Sequence, residues 1–131
     1  MQFFQFTEDQ EMLRKSVKEF AKAEVAPKAA EWDEQDCFPI ELFPTMGEMG
    51  INGIFVDEEY GGAGMGHVER AICIEEISRY SGGLGIALMT HHLGMSAIYD
   101  FGSDEQKRKY LPELCAGTKI CGLAVTEPGG G

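Results

Sequence analysis

Basic residues are scarce in this sequence. It holds 11 Lys and Arg against 22 Asp and Glu, a formal net charge of -11 over 131 residues. Nucleic-acid binding depends on clustered cations that neutralise phosphates, so this balance excludes nucleic acid as a partner. The one dense basic group, Lys107-Arg108-Lys109, follows Asp104 and Glu105 and reads as a solvated helix face. Cysteine is sparse too. Cys37, Cys73, Cys115 and Cys121 form no C-x-x-C pair and match no zinc spacing. They read as reduced thiols, most of them in or near the core. No secretory leader is expected, because Met1 to Phe6 is too short for an apolar leader core and acids follow at once. No Arg-rich, acid-poor transit peptide is expected either. The expected location is therefore cytoplasmic, or the mitochondrial matrix for a eukaryotic chain whose transit peptide has been removed.

The known signatures of catalysis are also missing. Tyr60 to Gly66 is rich in glycine, but Gly62 and Gly64 are followed by His67 where a dinucleotide fingerprint needs its third glycine. No G-x-S-x-G elbow occurs. His91 and His92 are adjacent, so on a helix they diverge by about 100°. No carboxylate lies between Glu76 and Asp100 to complete a metal site. The pair reads as packed or pocket-lining imidazoles, and no metal ligand is assigned. Glu75-Glu76 reads as a solvated helix face rather than an acid–base pair.

What is present is mostly helical pattern. Thr7, with Gln10 three residues on, has capping-box spacing, and Glu8 and Asp9 suit the first turn. Met12, Leu13, Val17, Phe20, Ala21 and Val25 recur at helical spacing until Pro27. Pro39 opens a short helix that closes at Gly50. Val68, Ala71, Ile72, Ile77 and Tyr80 trace one face of the next helix, with Glu69, Glu75, Glu76 and Arg79 mostly opposite. Ser81 to Tyr99 carries no formal charge and is apolar nearly all round. Its glycines and histidines argue for a buried or pocket-lining helix rather than a membrane span. Ser103 caps another helix with Gln106 at the box position, and Pro112 starts a further turn that ends at Gly117.

From Ile120 the pattern changes. A short apolar run, read as a strand, leads into Thr126-Glu127-Pro128-Gly129-Gly130-Gly131, a turn in which the chain stops. The expected organisation is all-α over residues 1–117, a helical bundle, with 118–131 forming the first strand and turn of a truncated β-domain.

The ordered segments together resemble the amino-terminal part of an acyl-CoA dehydrogenase. They are Phe6-Thr7-Glu8-Asp9-Gln10, Phe38-Pro39 with Met49-Gly50-Ile51-Asn52-Gly53-Ile54, and Glu59-Tyr60-Gly61-Gly62-Ala63-Gly64. Gly102-Ser103-Asp104-Glu105-Gln106-Lys107 with Tyr110-Leu111-Pro112, and Ala124-Val125-Thr126-Glu127-Pro128-Gly129, complete the set. The resemblance implies an amino-terminal helical bundle of the acyl-CoA dehydrogenase type, followed by a middle β-domain and a carboxy-terminal four-helix domain. It implies FAD as cofactor, a homotetramer, an acyl-CoA substrate, and an electron-transfer flavoprotein as electron acceptor. The reaction it implies is oxidation of acyl-CoA to trans-2-enoyl-CoA, by removal of an α-proton and a β-hydride. Leu123, Val125, Thr126 and Gly131 are the flavin-contacting positions by this resemblance, and Leu88, Met89, His92 and Leu93 the acyl-contacting ones. The family's catalytic Glu belongs to the carboxy-terminal domain and no residue here matches it, so no catalytic residue is assigned. Two rivals stand beside this reading: a related acyl-CoA oxidase, and a stand-alone helical binding module without catalysis.

Overall fold

The computed structural model describes residues 5–130. Among the described residues six α-helices follow one another, and the terminal capping signals do what their spacing requires. Helix α1 (Glu8–Phe20) starts at Thr7, whose hydroxyl accepts from the Gln10 amide while the Gln10 side chain accepts from the Thr7 amide. Gln10 also donates through Nε2 to Glu69 at 2.7 Å, and Glu69 in turn accepts from the Gly66 amide at 2.9 Å. The start of α1 is thereby tied to the start of α4 (His67–Ser78). The α1 run does not stop at Phe20; it widens into a π-helical turn, Ala21–Val25, before Pro27. That turn keeps Ala21 and Val25 in the core with Val17 and Phe20.

Short helices α2 (Ala29–Glu34) and α3 (Leu42–Glu48) come next. Pro39 precedes α3 rather than opening it, and Gly50 follows its end. The stretch Ile51 to Val56 is buried without being helical, and a 3-10 turn, Glu58–Tyr60, leads to α4. Helix α5 (Gly82–Phe101) is capped by Ser81, and α6 (Asp104–Cys115) by the capping box of Ser103 and Gln106. Helix α4 packs between α1 and α5, and α6 packs on the other side of α5. Among the described residues no helix is long and apolar enough to cross a membrane.

Three further details differ from the sequence reading. Pro112 lies inside α6 instead of starting a new turn. A proline there cannot donate to the carbonyl one turn back, but it sits in an exposed part of the helix, where water can serve that carbonyl. Glu76 is buried, at 2% exposure, rather than solvated. Arg79 Nε, at the end of the same helix, reaches it at 3.2 Å and Arg14 Nε, from α1, at 3.6 Å, so one local and one tertiary cation make its burial tolerable. Residues 120–126 form no strand, because strands exist only in pairs and none of the described residues pairs with them.

The Glu76 arrangement gives a testable cost. Arg79→Met is expected to lower unfolding free energy by about 2 kcal/mol, since it strips a charge-assisted partner from a buried carboxylate. Glu75 is exposed, and its own contact with Arg79 contributes little. Urea denaturation of Arg79→Met against Glu75→Gln separates the two; equal losses would contradict the assignment.

Candidate functional site

Helix α5 presents two apolar faces of different kinds. Leu84, Leu88, His91, His92 and Met95 are buried against the rest of the bundle. Ile86, Met89 and Leu93 recur at helical spacing on the outside, with exposures of 62%, 40% and 41%. None of the three carries an ionisable group. This surface can hold an apolar chain but cannot move a proton. Two concavities of the surface, of about 610 and 360 Å³, lie towards opposite ends of α5, and neither includes these three residues. Within this chain the outer stripe is an open apolar surface of the kind that marks a binding or packing site.

The histidines beneath it are fixed by hydrogen bonds. His91 Nε2 lies 3.1 Å from the Leu114 carbonyl, and its Nδ1 accepts the Cys121 amide at 3.2 Å. A carbonyl cannot donate and an amide N–H cannot accept, so His91 is neutral with its proton on Nε2. Burial pushes its pKa below the usual histidine value, against the pull of the Leu114 carbonyl. His92 Nε2 donates to the Ile51 carbonyl at 3.0 Å, while its Nδ1 is buried without a partner. Burial pushes His92 down to about 4, with the nearby Arg70 cation adding to the effect. Both imidazoles are packed groups, as expected for adjacent positions on a buried helix, and His92 is too weak a base for proton abstraction near neutral pH.

The segment after α6 returns across α5. Cys121 is held at His91, and Gly122 lies against Thr90 and Gly94. Beyond that point, residues 122–126 have no hydrogen-bond partner among the described residues, and Leu123 and Val125 are 49% and 68% exposed. Glu127 and Gly130 then exchange backbone hydrogen bonds of 2.8 and 3.1 Å around Pro128-Gly129, the turn that the Pro-Gly dipeptide predicts.

The model of the family described as "Acyl-CoA dehydrogenase, N-terminal domain" matches residues 7–118. The chain belongs to the acyl-CoA dehydrogenase family. An acyl-CoA dehydrogenase of Bacillus subtilis is 44% identical over 95% of this chain and 33% of its own length. A short-chain-specific acyl-CoA dehydrogenase of Clostridium acetobutylicum is 44% identical over 98% of this chain and 34% of its own. Among solved structures, glutaryl-coenzyme A dehydrogenase in complex with glutaryl-CoA superposes with a TM-score of 0.91, at 36% identity, covering 99% of this chain and 34% of that one. The chain thus spans about a third of the length of the curated relatives it matches.

As an acyl-CoA dehydrogenase amino-terminal domain, the chain divides the acyl-contacting candidates between two faces. Met89 and Leu93 belong to the open stripe, whereas Leu88 and His92 are both fully buried in the domain's own core. Ile86, three residues before Met89 and seven before Leu93, shares the open face and is not among the sequence candidates. Of the flavin-contacting candidates, Leu123, Val125 and Thr126 are exposed together on the extended segment, and Gly131 lies outside the described residues. Of the cysteines, Cys73 and Cys115 are buried, Cys121 is partly so, and Cys37 is exposed; all four are free thiols.

Proposed function

We propose that this chain supplies one wall of the acyl site and the first flavin-contacting segment of an FAD-dependent acyl-CoA dehydrogenase. The observation that carries the reading is the placement of two open surfaces on one helix. Ile86, Met89 and Leu93 offer an apolar face free of charge, and the segment rooted on the same helix exposes Leu123, Val125 and Thr126. The acyl chain of a thioester needs such a face. The backbone N–H and C=O groups of residues 122–126, together with the Thr126 hydroxyl, fit the polar edge of a flavin ring because nothing within the described residues satisfies them. When bound, FAD accepts the hydride removed from the acyl group. In this reading Leu88 and His92 hold α5 in place rather than touch substrate. The carboxylate base comes from outside this chain, the acceptor is an electron-transfer flavoprotein, and the assembly is a homotetramer.

The test uses the full product of the gene that encodes this chain. It is expected to purify with bound FAD, to lose its yellow colour anaerobically with butyryl-CoA, and to form the corresponding 2-enoyl-CoA. Absence of both flavin and enoyl product would overturn the reading in favour of a binding module. Enoyl product with equimolar hydrogen peroxide in air would make it an oxidase.

A further inference from the structure

The structure assigns His91 a role as the positioning residue of the flavin-facing segment: it ties the root of residues 121–126 to the helix that carries the acyl-facing stripe. This rests on the functional reading above and adds to it the residue that sets the two surfaces against each other.

The argument begins with valence. Neutral imidazole has one donor and one acceptor, and both are used here by groups on the same connection. Nε2 donates to the Leu114 carbonyl in the last turn of α6, and Nδ1 accepts the Cys121 amide just beyond. His91 thus clasps both ends of the link from α6 to the extended segment. The Cys121 thiol closes the same contact by donating to the His91 carbonyl, with Sγ to oxygen 3.4 Å.

Packing supports the clasp independently. A Cβ at Gly94, one turn further along α5, would stand 2.8 Å from Cys121 Sγ and 3.1 Å from the Gly122 carbonyl oxygen. The segment therefore rests directly on the α5 backbone, and a Cβ added at Gly122 would stand 3.6 Å from Thr90 Cγ2. Residues 122–126 make no hydrogen bond to the other described residues. Cys121 is the last point at which the bundle controls the direction of Leu123 to Thr126. Leu93, on the open face of α5, adjoins Gly94 in sequence, so the same short stretch of helix sets the acyl-facing and flavin-facing groups.

The experiment compares His91→Leu, His91→Gln and Gly94→Ala in the full product of the gene. Gln retains one donor and one acceptor; Leu retains neither; Gly94→Ala leaves His91 intact but pushes Cys121 and Gly122 away. Deuterium uptake of peptides spanning 119–126 reports the clasp directly and needs no catalysis. Flavin content, the visible circular dichroism of bound FAD, and kcat and KM for butyryl-CoA report its consequence. The expected result for His91→Leu and Gly94→Ala is uptake in that peptide at least about tenfold faster, an altered flavin spectrum, and kcat lower by about tenfold with KM changed less than about twofold. His91→Gln is expected to restore most of each. Unchanged uptake in a folded His91→Leu or Gly94→Ala protein would overturn the assignment. So would faster uptake with an unaltered flavin spectrum and kcat, because the residue would then be an anchor only. If His91→Leu does not fold, Gly94→Ala decides alone. If the unsubstituted protein lacks both flavin and enoyl product, the functional reading fails, and with it the positioning role; faster uptake would then show only an anchor.

Discussion

Gly117→Ala is expected to destabilise this chain by about 4 kcal/mol, the largest effect of any methyl-sized change in the connection to the functional segment. Gly117 has a φ of 73°, in the left-handed region. An L-residue there costs roughly 1–2 kcal/mol. A Cβ would also run into the Phe43 carbonyl and stand 2.6 Å from Asn52 Nδ2. Asn52 is fully buried and donates through that nitrogen to the Phe43 oxygen at 2.7 Å, so the intruding methyl group displaces both partners of a buried hydrogen bond. Overpacking of this kind costs about 1–3 kcal/mol, and a spoiled buried hydrogen bond a similar amount. The control is Gly129→Ala, where an added Cβ meets nothing within 4 Å. Chemical denaturation of the two variants should separate them by several kcal/mol, and a loss below about 1 kcal/mol at Gly117 would refute the steric account. The position matters for function because Gly117 turns the chain from α6 towards Ile120, ahead of the clasp at His91.

The parts of the fold that were legible in sequence are those whose cause is local. Thr7 with Gln10, and Ser103 with Gln106, form capping boxes because both partners lie within one turn. The Pro128-Gly129 turn closes on itself for the same reason. The ordered family segments carried the fold class, since they draw on the whole chain at once. What escaped was tertiary. Glu76 looks like a member of a solvated acidic face until Arg14 arrives from another helix. The charge-free helix α5 looks equally apolar on all sides, so its sequence could not divide Leu88 and His92 from Met89 and Leu93; only the neighbours on one side make that division. The extended run from Ile120 has strand composition, but pairing needs a second strand that its own residues cannot provide. Two adjacent histidines carry no sign in sequence of how their ring nitrogens are used, yet one has both ring nitrogens bonded and the other has one left over.

That leftover nitrogen makes the domain acid-sensitive. Lowering the pH from 6.5 to 4 is expected to remove roughly 3 kcal/mol of stability through His92 alone. The sign follows from proton counting. His92 is fully buried, and its pKa is pushed down to about 4, from the ordinary histidine value of 6.5. Between those values the unfolded chain binds a proton that the folded one does not, so stability falls as pH falls and the loss is complete below about 4. At 1.36 kcal/mol per pH unit, about 2 kcal/mol has gone by pH 5. His91, held below the ordinary value by burial, acts in the same direction. The carboxylates of Glu69 and Asp104 are pushed down by their hydrogen bonds, to Gln10 and to Tyr60, and matter only at lower pH. The window from 6.5 to 5 therefore isolates the histidines. Urea midpoints across that window should fall steeply in the unsubstituted chain. His92→Asn should have a lower midpoint at pH 7 and a shallower slope; a flat profile in the unsubstituted chain would dispose of the idea. The two imidazoles would also fail differently. A proton on His92 Nδ1 meets no acceptor, whereas a proton on His91 Nδ1 faces the Cys121 N–H and forces it away. Acid should loosen the 119–126 peptide through His91 while the core is destabilised through His92, so exchange at that peptide should track His91 titration even in His92→Asn.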